Sequence, residues 1–441
     1  MHHRPLKLWA LGLGLFAVTA KAHMTPVPLV SWNEAIKLLA AAPPTSAVSA
    51  AISKAQAKLA EDASDLRTIE QLGRLFITQS RLLNDEKGYQ RADLCARLML
   101  MSDSESAPGL LLRGHALLAM HQFHDAEEIG RRLLTLRQEM VDHALLADAL
   151  MEQGRIEESL PHYQAMIDAK PCLPSYSRIA HIRWLRGDLD GAIEMMAQAV
   201  ACGSYRDPEP MVWCTTRLAS YVWQKGEVDE ATRICERALQ ILPDYAQALW
   251  LRGRIELGQG QSEKAVVSLR AAANHSLLPE VLWALAEAEQ LAGRSDDSKR
   301  TLAKLKEVGQ RGDPRSYAIW LSTASTQTDA ALDLAKAEMM ARRDAFSWDA
   351  LAWAQSAAGE SVAAQISMRH AVAEGTRDAR LLLHAGIIGI RVGDAEAGDL
   401  LKQVQQMRAQ LLPSEQHFLD QGLAEVAVKS PRSDPPQVVT K

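Results

Sequence analysis

Two histidines three residues apart, His121 and His124, stand beside Asp125. Two imidazoles and a carboxylate are the ligand types a transition metal takes. They fall in a turn between two helical patterns, where polar groups meet solvent, and the reading is a solvated surface. Asp188 with Asp190, and Asp296 with Asp297, offer oxygens to calcium, but neither pair opens a full oxygen-ligand loop. Each pair stands where a helix begins, and negative charge is favoured there. The doublets Arg131–Arg132 and Arg342–Arg343 read as solvated helix faces. Asn274-His275-Ser276 has the form of a glycosylation sequon, which a bacterial chain would not use. No G-x-x-x-x-G-K-[ST], H-E-x-x-H or G-x-S-x-G occurs. The sequence offers no catalytic, cofactor-binding or metal residue, and the expectation is a non-enzymatic chain.

Five cysteines are spread over the chain: Cys95, Cys172, Cys202, Cys214 and Cys235. None forms a C-x-x-C pair, so zinc ribbons, redox dithiols and c-type haem attachment have no support. The 49 basic residues are outnumbered by 54 acidic ones, for a net charge of −5, which argues against a nucleic-acid binder. In 441 residues, 47% are hydrophobic, enough for a large core. Ala, Leu, Gln, Glu and Arg abound and strand formers are sparse, so the composition leans all-helical. Aromatics are few, yet Trp is the commonest of them, with ten against seven Tyr and five Phe.

The N-terminus reads as a signal peptide. Arg4 and Lys7 precede the apolar run Leu8–Ala20, which suits an h-region and is too short to cross a bilayer. Ala20-Lys21-Ala22 then gives the small-x-small cleavage pattern, placing the cut after Ala22. Gly12-Leu13-Gly14 lies inside this run and is no nucleotide loop. No later segment reaches 18 consecutive apolar residues. The mature chain is expected in the periplasm or secreted, with no integral membrane segment.

The elements behind all of this repeat. Gly154, Gly187, Gly226, Gly260, Gly293, Gly359 and Gly393 are spaced by 33, 39, 34, 33, 66 and 34 residues. Seven positions before them stand Ala147, Ala180, Ala219, Gly253, Ala286, Ala352 and Gly386, with Gly114 one period upstream. Five positions after them stand Ser159, Ala192, Ala231, Ala265, Ser298 and Ala364, with Ala126 preceding. Each unit reads as two helices. In 212–245, Leu218, Ala219 and Val222 form one apolar stripe, Gly226 breaks the helix, and Ala231, Cys235 and Ala238 form the second stripe before Pro243. Antiparallel helices approach closely only where the side chains at their crossing are small, and glycine suits a turn that needs φ > 0.

This spacing resembles the tetratricopeptide repeat. The unit around Leu218-Ala219, Val222, Gly226, Glu230-Ala231, Ala238 and Pro243 carries the pattern best. Trp348, Leu351-Ala352, Gly359, Ala364, Met368 and Ala371 carry it again. The unit near 314–343 lacks its turn glycine, and Arg252 replaces an expected Leu. The resemblance implies an all-α solenoid of about ten to eleven antiparallel helix pairs in a right-handed superhelix. The division is then a signal peptide (1–22), an N-terminal helix pair (23–64) with a Ser31–Glu34 capping box, the solenoid (65–412), a capping helix (413–429) and a disordered tail (430–441). By chain order, Cys172–Cys202 or Cys202–Cys214 could form a disulfide, while Cys95 and Cys235 fall on second-helix faces as buried thiols.

The family also implies a concave face lined by first helices. With the small residue of each first helix numbered 8, positions 2, 5, 9 and 12 form that face. Trp213 falls at 2, Trp250 and Trp283 at 5, Trp353 at 9, and Trp184 and Trp223 at 12. Such rings either pack between neighbouring first helices or contact a ligand. The favoured reading is a partner-binding groove of Trp184, Trp213, Trp223, Trp250 and Trp283 with Arg217 and Arg254, flanked by His181 and Glu287, each ring partly accessible. The function expected is a non-enzymatic periplasmic scaffold that holds a partner protein or peptide there. The alternative is a polysaccharide-binding or assembly component of an exopolysaccharide export system, because Trp faces also stack on sugars.

Overall fold

A computed structural model describes residues 47–83 and 86–429. The expected signal peptide, the Ser31–Glu34 box and the tail at 430–441 lie outside the described residues. Helix α1 (Ala47–Glu61) precedes ten helical hairpins. These are α2 (Leu66–Leu83) with α3 (Glu86–Ser102), α4 (Ala107–Ala119) with α5 (Phe123–Leu136), α6 (Met140–Glu152) with α7 (Ile156–Ala169), and α8 (Leu173–Leu185) with α9 (Leu189–Ala201). Then come α10 (Pro208–Gln224) with α11 (Val228–Ile241), α12 (Ala246–Gly258) with α13 (Ser262–His275), and α14 (Pro279–Leu291) with α15 (Ser295–Gly312). The last are α16 (Pro314–Thr323) with α17 (Thr328–Ala341), α18 (Ala345–Ala357) with α19 (Ser361–Val372), and α20 (Ala379–Val392) with α21 (Ala397–Gln406). A 3-10 turn (Arg408–Gln410) leads into α22 (Pro413–Lys429). Among the described residues the one β pairing is an isolated bridge between Ser204 and Asp207. The chain is an all-α solenoid.

The helices form for legible reasons. Helix α11 buries Ala231, Ile234, Cys235, Ala238 and Leu239, the i, i+3, i+4, i+7, i+8 stripe of an amphipathic helix, and carries Asp229 and Glu230 in its first turn. Asp188 caps α9 by accepting from the Gly191 N–H at 2.9 Å. The crossing positions are fully buried at Ala147, Ala180, Ala219 and Ala352 on first helices and at Ser159, Ala192, Ala231, Ala265 and Ala364 on second helices. At Gly253 an added Cβ would lie 2.5 Å from Leu269, so nothing larger fits that crossing.

Every turn glycine of the repeat series has positive φ, from 73° to 92°. Each ends its helix in the same way. Gly154 donates to the Met151 carbonyl and Arg155 to Leu150, and Gly226 and Glu227 do the same with Trp223 and Val222. Where the sequence lacks glycine the backbone keeps this conformation. His121, at φ 59°, and Ser325, at φ 50°, occupy the equivalent position with the same pair of bonds.

Each helix packs on the next, and along most of the array each first helix also touches the next first helix. First helices therefore crowd the inside of the curve. The coil then closes on itself. The Gly154 turn meets the Arg343 carbonyl and the Gly187 turn meets the Gly375 carbonyl. The Gln410 side chain donates to the Gln224 carbonyl at 3.1 Å, 186 residues away in sequence. Turns of three consecutive early hairpins thus rest on loops of three consecutive late ones.

All five cysteines are free. Neither expected pair forms: Cys214 is buried within α10 while Cys202 is exposed at the end of α9, and half-buried Cys172 caps α8. Burial pushes the Cys95, Cys214 and Cys235 thiols up to about 12.

Candidate functional site

The inner face is an array of rings, guanidinium groups and carboxylates. Trp184, on α8, stacks on Phe346 of α18 with centroids 5.5 Å apart and planes 11° from parallel. Tyr221 stacks at 5.8 Å and His181 at 5.5 Å. The Arg217 guanidinium lies 5.3 Å from the Trp184 ring and 5.1 Å from Tyr221. The Trp184 indole N–H donates to the Gln224 side chain at 2.6 Å. Aromatic and cation–π contacts of this kind add modestly to the area already buried.

Further along, Arg254 of α12 lies 5.9 Å from the Trp223 ring and 5.4 Å from the Trp250 ring. It donates to the Gln410 carbonyl at 2.6 Å, and the carboxylate of Glu415 acts on it through space without a direct bond. Burial depresses the guanidinium's pKa. The Trp283 indole N–H donates to Glu287, and Arg380 covers that ring at 5.0 Å. Glu287 also accepts from the Ser414 backbone at 3.0 Å and from its hydroxyl. Burial raises the Glu287 carboxyl above the usual range, while those hydrogen bonds pull the other way. Glu415 is held below the ordinary range against its own burial, chiefly by Arg380. It pairs with Arg380 and accepts from the Leu412 N–H at 2.7 Å.

The residues named from the sequence therefore do gather on inner faces, but not as an accessible floor. Trp184, Trp223 and Trp283 are 6%, 6% and 2% exposed, and Arg254 is 7% exposed. The expectation of partly accessible rings fails for these three: Phe346 and Arg217 cover Trp184, Arg254 lies over Trp223, and Arg380 lies over Trp283. Trp250 is half-buried, and its indole N–H is buried without an acceptor among the described residues. Trp213 is half-buried against the core and enters none of these stacks. Phe346 and Arg380 were not singled out, although both sit at position 2 of their repeats, on the same stripe as Trp213. Gln410, Ser414 and Glu415 carry no comparable signal, because only closure of the coil brings them inside.

One pair looks like part of a catalytic relay. His384 Nδ1 lies 2.8 Å from Asp349, and the imidazole stacks on Trp353 at 4.1 Å. Its Nε2, which would have to reach a nucleophile, has no hydrogen-bond partner among the described residues. No cluster of three His, Cys, Asp or Glu suited to a metal ion occurs among the described residues, and no described helix is long and apolar enough to cross a membrane.

The tetratricopeptide repeat family pattern matches residues 111–174, 144–207 and 216–279. These segments carry tetratricopeptide repeats. Among solved structures, a tetratricopeptide repeat protein from Parabacteroides merdae ATCC 43184 is 16% identical, covering 58% of this chain and 98% of that one with a TM-score of 0.32. Yeast Tom70 is 12% identical, covering 84% of this chain and 97% of that one with a TM-score of 0.32. The human IFIT1 dimer with m7Gppp-AAAA is 12% identical, covering 80% and 76% with a TM-score of 0.37. No curated protein matches the sequence. The matched tetratricopeptide segments include α8 and α12, which carry Trp184, Trp250 and Arg254.

Proposed function

We propose that this tetratricopeptide chain is a non-enzymatic scaffold of the periplasm or extracellular space that binds an extended peptide of a partner protein on its inner face. Tetratricopeptide repeats are a protein–protein interaction architecture. The observation that carries the finer reading is that the inner face already holds a polypeptide segment. Residues 408–415 lie against α12, α14 and α20 through the Gln410 carbonyl on Arg254 and the Ser414 N–H on Glu287. Export rests on the Arg4–Ala22 leader pattern alone. The polysaccharide alternative loses ground because the faces of Trp184 and Trp283 are taken by Phe346, Arg217 and Arg380, which leaves little ring for a sugar to stack on.

The test is retention of proteins from a periplasmic extract on the immobilised chain, beside its Trp250→Ala and Arg254→Gln variants. Trp250 is half-buried with an unpaired donor, the position where a bound partner gains most. Its replacement is expected to weaken a retained partner by about 2 kcal/mol, the scale of a hot spot. A partner kept equally by both folded variants places binding elsewhere on the solenoid. Retention of glycan with no protein returns the alternative reading.

A further inference from the structure

The segment at 408–415 is more than a connection to the capping helix. Its contacts are divided between backbone and side chains in a way that defines a ligand. The backbone supplies the Gln410 carbonyl to Arg254 and the Ser414 N–H to Glu287. The Ala409 carbonyl sits so close to Gly258 that a Cβ there would lie 2.3 Å away. Leu411 is extended, at φ −94° and ψ 147°, and both Leu411 and Leu412 are buried in the core that contains Trp283. Ser414 adds its hydroxyl to Glu287, and Glu415 meets Arg380.

This occupant leaves the site incompletely satisfied. Arg254 is a buried cation whose one described acceptor is a neutral carbonyl, although charged acceptors make the stronger bond. Trp250 Nε1 is buried beside it with no acceptor among the described residues. A buried donor without a partner costs free energy, so the resident segment is held less tightly than a fully satisfied one would be and its displacement costs less.

Resting on the scaffold reading above, we propose that the face formed by α12, α14 and α20 with the end of α10 is a binding site for a short segment of the form Leu-Leu-x-Ser-Glu, that the chain's own residues 408–415 fill it as an internal ligand, and that a partner segment of this chemistry displaces them. An attached segment competes at an effective concentration of the order of millimolar, so an outside peptide binds the intact chain weakly. Loosening the resident segment uncovers the site without altering it.

The probe is a fluorescein-labelled synthetic peptide of residues 406–417, measured by anisotropy against the full chain. The loosened forms are Ser414→Ala, which loses one hydrogen bond, and Glu415→Gln, which loses the Arg380 pair. Circular dichroism checks their folding, and Ser414→Ala serves if the second does not fold. Either loosened chain is expected to bind the peptide at least tenfold more tightly than the parent. Adding Arg254→Gln to Ser414→Ala is expected to remove that gain. Equal binding by parent and loosened chains overturns the proposal, as does equal binding of a scrambled peptide. Peptide binding without any retained protein partner removes the scaffold reading and keeps this site. A retained partner that Ser414→Ala and Arg254→Gln leave unchanged, with no peptide binding, removes this site and keeps the scaffold.

Discussion

Gly187 packs against the carbonyl oxygen of Gly375, so closely that a Cβ on Gly187 would lie 2.5 Å from it. The two residues belong to hairpins five apart in the array, and their contact is one of a series. Gly154 meets the Arg343 carbonyl and Gln224 meets Gln410 in the same sense. The solenoid therefore rests on itself after a single turn. That closure turns an inner face into a core, and it explains why tryptophans on the expected binding stripe are buried by their own chain.

The closure can be weighed against an internal control. Gly187 and Gly293 have the same backbone conformation, at φ 75° and 74°, but no described residue lies within 4 Å of where a Cβ on Gly293 would stand. Gly293→Ala is expected to cost about 1 kcal/mol, the penalty for a left-handed alanine. Gly187→Ala meets a backbone oxygen as well and is expected to cost at least about 2 kcal/mol more, the scale of overpacking. Thermal melts of the two variants compare them directly. Equal losses would show that the two ends of the coil do not bear on each other.

Ser325 invites the opposite substitution. It sits where neighbouring repeats have glycine and holds φ 50° without glycine's freedom. Ser325→Gly is expected to raise stability by about 1 kcal/mol, because the left-handed strain is relieved. His121→Gly, at φ 59°, is expected to do the same less cleanly, since its ring stacks on Phe123 at 5.6 Å. A melting temperature that falls for Ser325→Gly would refute the account of the turn.

What the sequence made legible was local. Turn glycines, crossing alanines and helix stripes depend on neighbours within about one period, so spacing alone located Gly154 through Gly393 and the fully buried Ala231 and Ala265. The stripe that located Trp184 and Trp250 also held Phe346 and Arg380, and choosing by residue type instead of position missed them. The burial of the stripe was not legible. It depends on how tightly the solenoid curves, which is set by small packing differences summed over many hairpins. The contact of Gln410 with Arg254 spans 156 residues and leaves no periodic trace.

Burial changes what the tryptophans should do on replacement. As groove residues they would be dispensable for folding, whereas Trp223 and Trp283 stand 6% and 2% exposed in the core of the closed coil. Trp223→Ala and Trp283→Ala are each expected to lose about 3–5 kcal/mol of stability. Trp283→Ala also strips a hydrogen bond from Glu287. Half-buried Trp213 is expected to lose much less. Urea unfolding followed by circular dichroism orders the three, and near-native stability of Trp283→Ala would restore the open groove.

Three histidines give the fold a pH dependence, His121 in a turn and His115 and His181 on inner helices. Each is held at a pKa of about 4, against an ordinary 6.5. Burial is the main cause in all three, reinforced by Arg81 and Arg178 at His115 and by Arg217 at His181, while Asp148 works against it at both of the inner two and Asp344 at His181. Between pH 6.5 and 4 the unfolded chain takes up protons that the folded chain refuses, so stability falls as the pH drops through that window. Above 6.5 neither state binds the proton and the effect vanishes, and below 4 it levels off. Each group steepens the fall by up to about 1.4 kcal/mol per pH unit. Buried carboxylates raised by burial, such as Glu209 and Glu287, oppose this trend, and those held low, such as Glu415, add to it at more acidic pH. The histidine contribution is therefore read as a difference. The double variant His115→Gln with His181→Gln is expected to lose less stability than the parent between pH 7 and pH 5, measured by urea unfolding at each pH. Parallel curves for parent and variant across that range would mean that both imidazoles titrate as freely in the folded solenoid as in the open chain.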